Sequence, residues 1–113
     1  MDVTDFDRVI DETIAALPAW VRDAMVNVEI LVLEEPDEMD GDLLGIYIGS
    51  PLPEREANFA GELPDVIHIY RQPHLALGLG PAALADEIAT TLVHEIAHYF
   101  GIDDDRLDEL GWG

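Results

Sequence analysis

The chain has 113 residues and no cysteine, and we predict a single domain spanning residues 1–113. Its 25 acidic and 5 basic residues give a formal charge of -20, which argues against nucleic acid as a partner because phosphates are bound by Lys and Arg. No apolar run reaches the roughly 20 residues of a membrane helix, and the N-terminus has no pattern of a secretory signal. We therefore predict a cytoplasmic protein with no membrane partner. The acidic surface could attract cations or basic peptides as partners. The alternative is that it serves only to keep the protein solvated.

The first predicted element is an amphipathic helix from Thr4 to Leu17. Apolar residues recur there at intervals of three and four, which places them on one helical face. Thr4 with Asp7 resembles a capping box, and Pro18 ends the helix because its ring cannot continue the hydrogen-bond ladder. Residues 18–25 are expected to add a short helical turn.

Three short strands are predicted after this helix. The sequence VNVEILVL at 26–33 is apolar and β-branched, LLGIYIG at 43–49 is bracketed by glycines, and VIHIY at 66–70 is the third candidate. The segments at 34–42 and 50–65 are dense in Pro, Gly and charged residues, and we predict that both are loops. A loop as long as the second is usually functional or mobile in a compact domain.

The last long element is a helix that begins at Pro81, a favoured first-turn residue, and ends at Gly101. Its sequence predicts two faces. The apolar face consists of Ala85, Ala89, Leu92, Val93, Ile96 and Phe100. The polar face consists of Glu87, Thr91, His94 and His98. The helix should therefore pack its apolar side on a sheet and present both histidines on the other side.

The two histidines of the polar face belong to the sequence HEIAH, residues 94–98. His94 and His98 are four residues apart, so their side chains project from adjacent helical turns and can bind one metal ion. Glu95 lies beside them, where its carboxylate can take a proton from a metal-bound water without binding the metal itself. The pattern is H-E-x-x-H, and it predicts a zinc site (Zn2+) with a catalytic base.

A third ligand is expected after the helix. Gly101 can adopt the left-handed conformation that ends a helix and lets the chain fold back toward the histidines. Asp104, ten residues after His94, is then placed to be the third ligand, and Asp103 or Asp105 could replace it if the turn differs by one residue. Two imidazoles and one carboxylate leave a fourth position for water, as in catalytic zinc sites. The alternative is a solvated helix end that binds no metal.

Three segments resemble the minimal zincin-like metallopeptidase family of small bacterial proteins: DLLGIYIGSPLPER, LPDVIHIYRQP and HEIAHYFGIDDDRLDELGW. The resemblance covers most of the chain after residue 42. It implies a compact α/β (α+β) zincin-like domain in which a small mixed sheet packs on the H-E-x-x-H helix, and the N-terminal amphipathic helix predicted above belongs to the same domain. It also implies zinc held by His94, His98 and Asp104, with Glu95 as catalytic base. It further implies a cleft along Val66–Tyr70, where a peptide could add as an extra strand.

The function that follows is a zinc-dependent metallopeptidase that hydrolyses peptide bonds in a peptide or protein substrate. The alternative is a catalytically idle zinc-binding interaction module, because a domain this short offers no clear group to stabilise an oxyanion. His68 and His74 are predicted to be structural or solvated residues rather than catalytic ones. Tyr70, Arg71 and His74 belong to the segment expected near the cleft, and the sequence assigns a catalytic role to none of them.

Overall fold

The computed structural model describes residues 2–37, 43–49 and 65–109. The elements in these ranges, in chain order, are α1 (Val3–Ala16), α2 (Ala19–Ala24), β1 (Val28–Leu33), β2 (Gly45–Ile48), β3 (Asp65–Tyr70), α3 (Arg71–Leu75), α4 (Pro81–Tyr99) and α5 (Asp104–Glu109). Much of the two predicted loops, at 38–42 and 50–64, lies outside the described residues. Within the described ranges, no helix combines the length and the apolar character that crossing a membrane would require.

The three strands form one mixed sheet in the order β1-β3-β2. β1 runs parallel to β3, with Val28 opposite Asp65, and β2 runs antiparallel to β3, with Gly45 opposite Ile69. The predicted small mixed sheet is therefore confirmed. Because β3 is the central strand, both of its edges are already hydrogen-bonded to neighbours. The expectation that a peptide adds as a strand along Val66–Tyr70 is therefore wrong.

The core lies between this sheet and the two long helices. Ile67 and Ile69 of β3 are fully buried, and Phe6 and Ile10 of α1 pack into the same cluster. The buried apolar residues that α4 adds to this cluster are Leu84, Ile88, Leu92 and Ile96. Burying a side chain of this size contributes about 1.5–3 kcal/mol. The predicted α+β arrangement, with a small mixed sheet packed on the H-E-x-x-H helix and an N-terminal amphipathic helix, is confirmed.

Several elements begin at other residues than the sequence pattern predicts, including β3, which begins at Asp65 inside the predicted loop. α1 begins one residue earlier, because the Asp2 side chain accepts a hydrogen bond from the Asp5 N–H at 2.8 Å. Asp2, not Thr4, is therefore the N-cap. β1 begins two residues after the predicted Val26, because Asn27 has a φ of 63°, a left-handed conformation that does not occur inside a strand.

α4 is rotated about its axis relative to the predicted faces. Thr91 and Glu95 are 6% and 8% exposed, so they lie on the buried side, whereas Ala85 and Ala89 are only half-buried. Thr91 is therefore buried against the sheet, although the sequence pattern groups it with the polar face. The reason is Gly45 in β2, where a Cβ atom would lie 2.9 Å from Thr91 Cγ2. The absence of that atom lets the helix pack Thr91 directly against the strand.

Candidate metal site

The last turns of α4 bring His94, Glu95 and His98 together. One possible ligand atom from each of the three side chains lies within 4.8 Å of the others. The two imidazole rings meet edge to face, with 4.8 Å between their centroids. The spacing of four residues explains this contact, because it places both rings on adjacent turns of one side of the helix. The group could hold a metal ion.

The three side chains differ in burial. Glu95 is 8% exposed, whereas His94 and His98 are half-buried. A glutamate is rarely this buried unless it has partners or a function. The site thus combines two imidazole donors at the protein surface with a carboxylate on its inner side. Imidazole nitrogen is a ligand that zinc prefers, and a carboxylate beside the two imidazoles adds a negative charge near the ion, so these residues fit Zn2+.

The C-terminal end of α4 is fixed by a left-handed glycine. Gly101 has a φ of 82°. Its N–H donates to the His98 carbonyl at 2.9 Å, and the Ile102 N–H donates to the Ala97 carbonyl at 3.0 Å. This is the glycine-terminated helix that the sequence predicts. The reversal brings the Ile102 carbonyl oxygen to 2.9 Å from His98 Nδ1.

The predicted third ligand follows this reversal at once. Asp104 is the first residue of α5, and the position of its side chain lies outside what the structure describes. The neighbouring Asp103 has a different role, because its Oδ1 accepts a hydrogen bond from the Arg106 N–H at 2.9 Å and so caps α5. Asp105 is exposed. The assignment of Asp104 as a ligand therefore stays a prediction.

Tyrosines hold the end of α4 against the rest of the fold. The Tyr99 hydroxyl lies 3.2 Å from the carbonyl oxygens of both Ala24 and Val26, which precede β1. The Tyr99 ring also meets the ring of Tyr47 in β2 edge to face, with 6.0 Å between centroids. The Tyr47 hydroxyl donates to the buried carboxylate of Asp65 at the start of β3. These contacts join the helix that carries the histidines to the segment before β1, to β2 and, through Tyr47, to the start of β3.

His74 connects α3 to α4 one turn before the metal-site residues. Its ring is fully buried. Its Nδ1 lies 2.7 Å from the Tyr70 carbonyl oxygen, and its Nε2 lies 2.9 Å from the Thr91 hydroxyl. Burial lowers the pKa of His74 from its ordinary value. His74 is a structural residue, as predicted. Its contact with Thr91 could not be predicted from the sequence pattern, because the two residues are 17 positions apart.

The other residues weighed near the cleft also have structural partners. His68 and Tyr70 lie on the face of the sheet opposite to Ile67 and Ile69, and His68 Nδ1 is 3.3 Å from the Tyr70 hydroxyl. Arg71 forms an ion pair with Glu34 at 2.9 Å. The pKa of Glu34 is lowered mainly by a hydrogen bond from Gln72, with Arg71 adding to the effect. None of these pairs includes a residue of the His94–His98 group.

Comparison with known proteins identifies the fold and the family. No curated protein matches the chain. The solved structure of a conserved hypothetical protein from Thermus thermophilus is similar, with a TM-score of 0.58 over 97% of each chain, and at 16% sequence identity this likeness shows the fold alone. The family model for zincin-like metallopeptidases matches residues 25–112. The match spans all three strands and the H-E-x-x-H helix, and the chain therefore belongs to the zincin-like metallopeptidase family.

Proposed function

We propose that the protein is a zinc-dependent peptidase with His94, His98 and Asp104 as ligands and Glu95 as catalytic base. The observation that supports this most directly is the group of His94, Glu95 and His98, whose donor atoms lie within 4.8 Å of one another. Membership of a metallopeptidase-like family supports the same reaction class. A cytoplasmic location and a peptide or protein substrate are parts of the same proposal.

The site residues would act on a peptide carbonyl. His94, His98 and Asp104 would hold the zinc ion, which when bound would supply a Lewis acid for that carbonyl and would lower the pKa of a water molecule toward about 7. Glu95 accepts the proton of the attacking water on its carboxylate as the new C–O bond forms. It then gives the proton to the amine nitrogen as the C–N bond breaks. Its burial keeps the carboxylate in one place for both transfers.

The substrate would lie along β2 rather than along β3. β2 is at one edge of the sheet formed by the described strands, and it packs on α4 through Gly45 and Thr91. An extended peptide can add to such an edge by backbone hydrogen bonds. The formal charge of -20 favours the approach of basic peptides through long-range attraction. We therefore expect basic peptides to be better substrates than acidic ones.

Metal content tests the site. Plasma mass spectrometry of tag-free protein purified at neutral pH should find about one zinc per chain in the wild type and in Glu95→Gln, since the glutamate is not a ligand in this proposal. His94→Ala should lose most of the zinc because it removes a ligand. A wild type that holds no zinc, even after zinc is added and the excess removed, would rule out the metal site.

Peptide hydrolysis separates the peptidase from an idle zinc-binding module. Zinc-loaded wild type should cleave members of a mixed-sequence peptide library, and zinc-loaded Glu95→Gln should be slower by about 100-fold or more, as expected for loss of a general base. Equal rates in the two proteins would disprove the role of Glu95. Zinc binding by a wild type that hydrolyses no peptide, with zinc-dependent capture of a partner protein, would favour the interaction module.

A further inference from the structure

We infer that the Ile102 carbonyl is a positioning group that holds the His98 ring with its hydrogen on Nδ1 and so presents Nε2 to the metal. The inference rests on the proposed zinc site and names the group that orients one of its ligands. The distance of 2.9 Å from His98 Nδ1 to the Ile102 carbonyl oxygen is that of a good N–H···O hydrogen bond.

The chemistry of the carbonyl decides which nitrogen carries the hydrogen. A carbonyl oxygen only accepts hydrogen bonds, so the donor must be the Nδ1–H of His98. In the neutral imidazole the lone pair is then on Nε2, and the lone pair is what a metal requires. Hydrogen bonds from the second nitrogen of a ligating histidine fix both the tautomer and the orientation of its ring. The bond to Ile102 thus prepares the ligand before metal arrives.

The position of this carbonyl depends on Gly101. The φ of 82° at Gly101 is reached at little cost only by a residue without Cβ. The turn is closed by the bond from the Ile102 N–H to the Ala97 carbonyl at 3.0 Å. The same helix therefore carries His98 and holds the group that orients its ring. In the HxxG part of the motif, which runs from His98 to Gly101, the glycine thus has two effects. It ends the helix, and it favours the His98 tautomer that carries its hydrogen on Nδ1.

Nitrogen-15 NMR of the metal-free protein tests the tautomer directly. The spectra correlate each ring nitrogen with ring hydrogens two bonds away. Recorded at a pH well above the ordinary imidazole pKa, where the rings are neutral, they distinguish a protonated from an unprotonated nitrogen. We expect His98 to carry its hydrogen on Nδ1. His74, whose Nδ1 lies 2.7 Å from the Tyr70 carbonyl oxygen, should give the same pattern and serves as the internal reference. A His98 ring protonated on Nε2, or averaged between the two forms, would overturn the inference.

Two glycine variants test the effect on zinc affinity. Gly101→Ala disfavours the left-handed turn that supports Ile102. Gly78→Ala introduces the same backbone strain away from the site, because Gly78 has a φ of 70° and a Cβ there would meet nothing within 4 Å. Competition with a chromophoric chelator should give zinc binding about 10-fold weaker in Gly101→Ala, as is typical when a group that orients a ligand is lost, and unchanged in Gly78→Ala. Equal affinities in the two variants would overturn the inference.

The two experiments distinguish this inference from the proposed function. A wild type that binds no zinc would end the proposal of a zinc site, whereas the NMR measurement needs no metal and still decides the His98 tautomer. If Gly101→Ala does not fold, the wild-type tautomer alone decides. A mixed tautomer in a wild type that binds zinc tightly would keep the zinc site and reject the role of the Ile102 carbonyl.

Discussion

His74 illustrates how strongly the surroundings of one residue determine its chemistry. The ring is fully buried and meets the ring of Phe6 edge to face at 5.6 Å. Its Nδ1–H donates to the Tyr70 carbonyl, and its Nε2 lies 2.9 Å from the Thr91 hydroxyl, which also donates to the Glu87 carbonyl at 3.0 Å. In the neutral ring, Nε2 therefore shares the single hydrogen of the Thr91 hydroxyl with the Glu87 carbonyl. This buried imidazole stabilises the packing of α3 on α4, and its burial disfavours the charged form of the ring.

We expect His74 to reduce the stability of the protein as the pH falls. Burial lowers the pKa of His74 below its ordinary value of 6.5, although the bond to the Tyr70 carbonyl and the charge of Glu87 act in the opposite direction. Below about pH 6.5 the unfolded chain therefore binds a proton that the folded chain resists. The stability that His74 contributes is complete above that pH and is lost as the pH falls through the lowered folded-state pKa.

Urea unfolding of metal-free wild type and His74→Asn measures this effect. Asn keeps an N–H donor but has no group that titrates, so carboxylates elsewhere affect both proteins alike. Near pH 8 we expect the free energy of unfolding to be about 1–3 kcal/mol lower in His74→Asn, because the shorter side chain loses the bond to the Thr91 hydroxyl and leaves part of the buried ring volume empty. The difference should narrow toward about pH 5 as the wild type loses its advantage. A constant difference across this range would contradict the assignment.

At the scale of elements, the sequence predicts that α4 is a helix, but it does not predict which side of that helix faces the sheet. Pro81 and Gly101 mark its ends, and the apolar periodicity between them is local information. The side of the helix that faces the sheet depends on Gly45, which is far away in the sequence and leaves room for Thr91. The strand order β1-β3-β2 is equally non-local, since β2 pairs with a strand beyond a long intervening segment.

The candidate site could be predicted in part for the same reason. His94, Glu95 and His98 lie within one helix, where a spacing of four residues fixes their geometry. The role of Asp103 as the N-cap of α5 depends on where that helix begins. The Ile102 carbonyl leaves no mark in the sequence, because every residue has the same backbone carbonyl. Only the three-dimensional reversal after α4 gives this group its function.

We expect Gly45→Ala to separate β2 from α4 and to destabilise the protein. The added Cβ would lie 2.9 Å from both Thr91 Cγ2 and the His68 carbonyl oxygen, and the second of these is backbone that cannot turn away. Overpacking of this kind costs about 1–3 kcal/mol. Urea unfolding should find a loss in that range. Gly80→Ala is the control, because a Cβ at Gly80 would meet nothing within 4 Å.

Thr91→Ser provides a second test of the same contact. Serine keeps the hydroxyl that bonds to His74 but lacks the Cγ2 that meets Gly45. In a double-mutant cycle, Gly45→Ala should cost less in the Thr91→Ser background than in the wild type. Additive losses would mean that the strand and the helix do not meet where the structure places them.

For the whole molecule, the dominant electrostatic feature is a charge of -20 on 113 residues. Ion pairs among the described residues include those of Arg8 with Asp5, Arg71 with Glu34 and Arg106 with Glu109. Most of these side chains are exposed, and exposed pairs contribute little to stability. With 25 acidic and 5 basic residues, most carboxylates have no basic residue to pair with. Repulsion between like charges therefore opposes the compact state, and it acts over the whole surface rather than at one site.

We expect salt to stabilise the metal-free protein, because it screens this repulsion. Raising sodium chloride from about 0.02 M to about 0.5 M shortens the screening length from roughly 20 Å to roughly 4 Å, so that only neighbouring charges still interact. A gain of about 1 kcal/mol in the free energy of unfolding would raise the Tm of a small domain by about 4–8 °C, which thermal unfolding followed by circular dichroism resolves.

The same titration near the isoelectric point, at about pH 4.1, is the control. The net charge vanishes there, so a gain caused by screening should vanish with it. A gain of equal size at both pH values would instead indicate that salt acts by exclusion from the protein surface.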